Sequence, residues 1–86
     1  MDEQQSEEAR AAIMKAVETQ LADGDPPETA ETLERLLAEG HSRDDAVRLI
    51  ACVLADEMFR IMQQEQEYDR DRYVGLLQRL PRVPWE

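Results

Sequence analysis

The sequence predicts an all-α protein, a compact bundle of about four helices packed around a central third helix. Three observations lead there. From Ser42 to Met62 runs a helix-length segment, SRDDAVRLIACVLADEMFRIM, in which nine of the ten residues from Ala46 to Ala55 are apolar, Arg48 being the exception. A helix apolar around most of its circumference needs cover on several sides. Elsewhere the apolar residues recur at three- and four-residue steps, and no apolar run of period two or internal repeat is present. Turn residues at Gly24 to Pro27, Gly40 and Pro81 punctuate the chain.

The first helix is expected over about Ser6 to Ala22. Ile13, Val17 and Leu21, with Ala9, Ala12 and Ala16, form its apolar face. Asp23-Gly24 ends it, because glycine adopts the left-handed conformation of the C′ position without a steric penalty. The second helix is expected from Pro26 to Glu39, with Asp25 as N-cap, Pro26 at the first helical position and Glu28 placed for a capping box. Its inner face reads as Leu33, Leu36 and Leu37, with Thr29 or Ala30, and Gly40 closes it.

Ser42 is the expected N-cap of the third helix, with Asp44 and Asp45 favoured in its first turn by the helix dipole. Val47, Ile50, Val53, Leu54, Met58 and Ile61 make the main stripe, and Leu49, Phe59 and Met62 widen it. Asp44/Arg48 and Asp56/Arg60 are i,i+4 pairs of opposite charge. The stripe fades at Gln63-Gln64-Glu65-Gln66-Glu67. A fourth helix begins near Asp69 or Asp71, carries Tyr73, Val74, Leu76, Leu77 and Leu80, and stops at Pro81. Gly75 inside it costs on the order of 1 kcal/mol unless it permits close packing. The organisation is a flexible N-terminus over 1–5, one helical domain over 6–81 and a tail over 82–86.

Eighty-six residues with 42% apolar content support one folded domain. The net charge of −10 argues against nucleic acid and anionic membrane surfaces as direct partners, since both call for clustered Lys and Arg. Residues 1–39 carry eleven acids against Arg10, Lys15 and Arg35, net −8, while 40–86 carry nine acids against seven arginines, net −2. Such a split is ordinarily a solvated face, and it also suits an acidic inhibitor of a basic protein. No basic–apolar leader and no run of 18 apolar residues is read, so a cytoplasmic location is expected.

No constellation for chemistry stands out. His41 is the only histidine and Cys52 the only cysteine, so four N or S ligands for zinc cannot be assembled, and no cofactor is expected. Cys52 reads as a small buried hydrophobe, with Arg48 the sole cation in reach. Ser6 and Ser42 lie in no nucleophile motif. Glu18, Arg48 and Glu57 are the polar groups nearest the apolar positions, and a small ligand- or metal-binding domain built on them is the alternative function. The carboxylates are expected at helix edges, facing water. So short a chain is not expected to enclose a pocket of a few hundred Å³, so no enzyme is predicted.

An interaction or structural module is the leading expectation. Met58, Phe59 and Met62 cluster at the end of the third helix, and Trp85 follows two prolines in the tail. Methionine is frequent on adaptable binding surfaces. Against that stands a core role for Phe59 and Tyr73, which is the expected one, and a fold-back role for Trp85. A stripe so wide leaves one face for a homodimer to cover.

The segments VETQLADGDPPETAETLERLLAEG, DAVRLIACVLADE and YDRDRY…LP resemble a family of small bacterial all-helical proteins of unknown function. The resemblance covers about Val17 to Pro81, and rests on the Gln20-Leu21…Gly24-Asp25…Glu28 punctuation and the Leu-Ala-x-Glu ending at Glu57. It implies an all-helical fold and no assigned activity. The family pattern often has histidine where Met14 and Arg48 stand, so any function resting on those histidines is lost here.

Overall fold

The computed structural model describes residues 3–64 and 67–84, with side chains from Glu7 onward. Four helices follow in order: α1 (Glu3–Asp23), α2 (Pro27–Ala38), α3 (Arg43–Gln64) and α4 (Arg70–Arg79). The fold is all-α, and α3 is its centre, packed against each of the other three. No described helix is long and apolar enough to cross a membrane.

Local chemistry explains most boundaries. Gly24 (φ 68°) and Gly40 (φ 101°) take the left-handed conformation that ends α1 and α2. At α2 the termination is a Schellman motif: the Gly40 amide donates to Leu37 O and the His41 amide to Leu36 O. The Ser42 hydroxyl accepts from the Asp45 amide at 3.1 Å, as an N-cap should. At α4 the structure selects Asp69, whose carboxylate accepts from the Arg72 amide at 3.0 Å.

The start of α2 departs from expectation. Pro26 is extended (φ −73°, ψ 149°) and is itself the N-cap, so Pro27 occupies the first helical position and no side chain caps the helix. Asp25 lies outside it. Glu28 is therefore one position early for a capping box and instead meets Arg70 at 3.3 Å.

The core unites Val17, Leu36, Val47, Ile50, Val53, Leu54, Tyr73, Leu77 and Leu80. On α2 the inner face is Thr29, Thr32 and Leu36, while Leu37 is 41% exposed. The threonines are inside because α2 meets α1 and α4 through a polar node. The Gln20 side-chain oxygen accepts from Thr29 Oγ1 and from the Tyr73 hydroxyl, both at 2.9 Å. One amide oxygen thus ties α1, α2 and α4 and leaves the buried hydroxyls satisfied, as burial requires. Arg35 adds a second tie. Its guanidinium donates to Leu80 O (2.7 Å) and to Leu77 O (3.0 Å), the latter also accepting the Leu80 amide that closes α4.

Candidate interaction surface

The residues singled out from the sequence separate into four environments. Glu57 is inside, only 1% exposed. It accepts from Arg72 Nε (2.9 Å), Arg72 Nη2 (2.9 Å) and the Asp69 backbone amide (3.1 Å). The expectation of an edge carboxylate facing water is overturned. A buried charge persists only when paired and hydrogen-bonded, and α4 supplies three donors in one place. The pair therefore docks the N-terminus of α4 on α3.

Glu18 lies on the surface of α1 and pairs with Arg43 at 2.9 Å, far from Glu57 in the fold's connectivity. The two glutamates are held by different partners on different helices and do not form a carboxylate pair. Among the described residues no group of three or more His, Cys, Asp or Glu is arranged to hold a metal.

Arg48 is exposed and has no ion-pair partner among the described residues; the pair with Asp44 does not form, whereas Asp56 and Arg60 meet at 3.0 Å. It borders a groove of about 600 Å³ between α1 and α3, with Ile13, Met14, Ala51, Cys52 and Ala55 as apolar lining and Arg10 opposite. The expectation that so short a chain has no room for such a space is thereby corrected. Three small residues on α3 leave the volume, since the α1 side chains do not reach far enough to fill it. Met14 and Arg48 face each other across this groove, one from each helix. Cys52 is half-buried, and desolvation pushes its thiol above the usual range, which keeps it protonated near neutral pH.

Phe59 is the largest correction. It is 60% exposed, not core, while Met58 is 40% and Met62 73% exposed. Tyr73, its companion in the expectation, is fully buried. The reason is rotational. At 100° per residue, Val47, Ile50, Leu54 and Glu57 point one way from α3, and Arg48, Cys52, Ala55, Phe59 and Met62 point the other. Three neighbours cover the first side. The second, an almost uncharged strip, is covered only partly by α1. Trp85 lies outside the described residues.

Sequence reasoning missed Arg72 and Arg35 as structural cations and Gln20 as a node. One signal was present: Arg72 stands at N3 of α4, where the helix dipole disfavours a cation and a carboxylate close by offsets the penalty. Scans against protein-family models, curated proteins and solved structures return no match for this chain.

Proposed function

We propose that this chain is an acidic, non-enzymatic interaction module that associates through the exposed apolar strip of α3, formed by Met58, Phe59 and Met62 with half-buried Cys52 and Ala55 beside them, and that it works in the cytoplasm. The observation that carries this reading is the exposure of Phe59 and Met62 on the side of α3 opposite the core. Large apolar side chains grouped on one strip mark interaction sites more often than scattered ones, and aromatic residues and methionine are enriched where proteins meet. A non-enzymatic role is supported by the groove's lining, which offers two guanidiniums and a protonated thiol but no acid–base pair.

The test is the double variant Phe59→Ser/Met62→Ser. Both side chains are exposed, so stability should change by no more than about 0.5 kcal/mol. Self-association by sedimentation, and capture of any partner by the tagged chain, should be lost. Association that survives the double variant sinks the reading. A second reading is favoured by Arg10 and Arg48, the cations bordering the apolar groove: a small anionic amphiphile could lodge there, which a thermal-shift series with long-chain carboxylates would reveal.

A further inference from the structure

The uncovered face is complementary to itself, and we infer that its occupant is a second copy of this chain, paired antiparallel about a two-fold axis near Ala55, with Phe59 and Met62 of each copy seated in the groove of the other. The inference rests on the interaction-face reading above and adds the partner, its direction and its register.

Shape comes first. Along α3 positions 48, 52, 55, 59 and 62, of which 48, 59 and 62 are exposed and 52 and 55 half-buried beside α1, follow steps of four and three, the spacing of a seam along which two helices can lie side by side. The seam runs about 21 Å at 1.5 Å per residue. Its N-terminal half is hollow, because Ala51, Cys52 and Ala55 border the groove of about 600 Å³. Its C-terminal half is raised, because Phe59 and Met62 stand out at 60% and 73% exposure. Reversing a second copy about Ala55 places position 59 over positions 51 and 52, and position 62 over position 48. Raised half then meets hollow half at both ends. A two-fold pair must work this way, each contact occurring twice. A parallel copy sets Phe59 against Phe59 and leaves both hollows unfilled.

Charge agrees. The chain carries −10, so two copies repel over most of their surface. This face escapes that rule: the charged groups bordering its groove are Arg10 and Arg48, neither with an ion-pair partner among the described residues. Helix α1 runs antiparallel to α3, with Glu18 beside Arg43 at one end and Arg10 beside Ala55 at the other. Glu7 is exposed one turn before Arg10 and so stands next to the raised half. Antiparallel pairing brings the two Arg10 near the axis, each with Glu7 of the other copy about one turn away. Parallel pairing lines up Glu7 with Glu7.

The test uses the full chain with Cys52→Ser and one new cysteine, Ala55→Cys or Met62→Cys. Near the axis, position 55 faces its own copy, within the Cα separation of about 4.4–6.8 Å that a disulfide needs. Mild oxidation should link the Ala55→Cys chains at least about tenfold faster than the Met62→Cys chains, whose two copies lie at opposite ends of the seam. Sedimentation of the unmodified chain should show mass rising with concentration from 9.9 kDa toward twice that value. Added salt should favour the dimer by screening the repulsion of two acidic chains.

Faster linkage at position 62 overturns the antiparallel register, and a monomer at all concentrations overturns the second copy. A monomer whose capture of another protein is lost in Phe59→Ser/Met62→Ser leaves the interaction-face reading standing while this inference fails. Mass that rises equally in that double variant defeats both. A monomer stabilised by a long-chain carboxylate, with the effect lost in Arg48→Ala, assigns the groove to a small ligand instead.

Discussion

Replacing Arg72 by Met tests the most consequential polar contact of the fold. Methionine retains much of the arginine stem and removes the charge. In the native chain the Glu57 carboxylate, 1% exposed, holds three donors, two of them from Arg72. The variant leaves it with the Asp69 amide. Removing one partner of a buried pair typically costs about 3–5 kcal/mol, mostly from stranding the other charge. The lower end applies here, since the Arg72 side chain is 26% exposed and water can follow it in. A loss of about 3 kcal/mol is a large share of the roughly 4–13 kcal/mol available to a domain of this size. At about 4–8 °C per kcal/mol, the melting temperature should fall by roughly 12–24 °C. Circular dichroism melts and urea titrations measure both quantities. The double variant Glu57→Leu/Arg72→Leu supplies the control: with no charge left behind, it should lie within about 1 kcal/mol of the parent or above it. An Arg72→Met chain that melts within about 4 °C of the parent would refute the reasoning, because the carboxylate would then not depend on its partner.

Gly75→Ala should stabilise the chain by roughly 0.5–1 kcal/mol, since a Cβ there meets nothing within 4 Å and the helix gains a better former; a loss of stability in urea would show that the site is crowded. Burial raises the Tyr73 hydroxyl above its ordinary value of 10.0. The unfolded chain then ionises first, so this group's contribution is complete below about pH 10 and is lost as pH climbs through the raised folded value. Melting temperature from pH 8 upward should fall more steeply for the parent than for Tyr73→Phe, and parallel curves would remove Tyr73 as the cause. Leu54→Asp should unfold the domain by placing an unpaired charge in the core, and a cooperative melt at the parent temperature would contradict it.

Helix number, order and approximate limits were legible in the sequence because they depend on local chemistry. Glycines that accept positive φ, a serine that caps, prolines that stop a helix and apolar steps of three and four act over one or two turns. Val47, Ile50, Val53 and Leu54 were identified as core for the same reason. The Asp25-Pro26-Pro27 start was misplaced by one residue, since two adjacent prolines leave two positions for the cap. The tertiary structure alone decided which side of α3 faces inward at its C-terminal end. The apolar pattern there was wide enough for either choice, and Phe59 went outside while Glu57 went inside. That exchange depends on Arg72, fifteen residues on, and on the Asp69 amide, which together make burial of a carboxylate tolerable. Periodicity measures hydrophobicity around one helix; it carries no information on which neighbour will bring a compensating charge or leave a face bare.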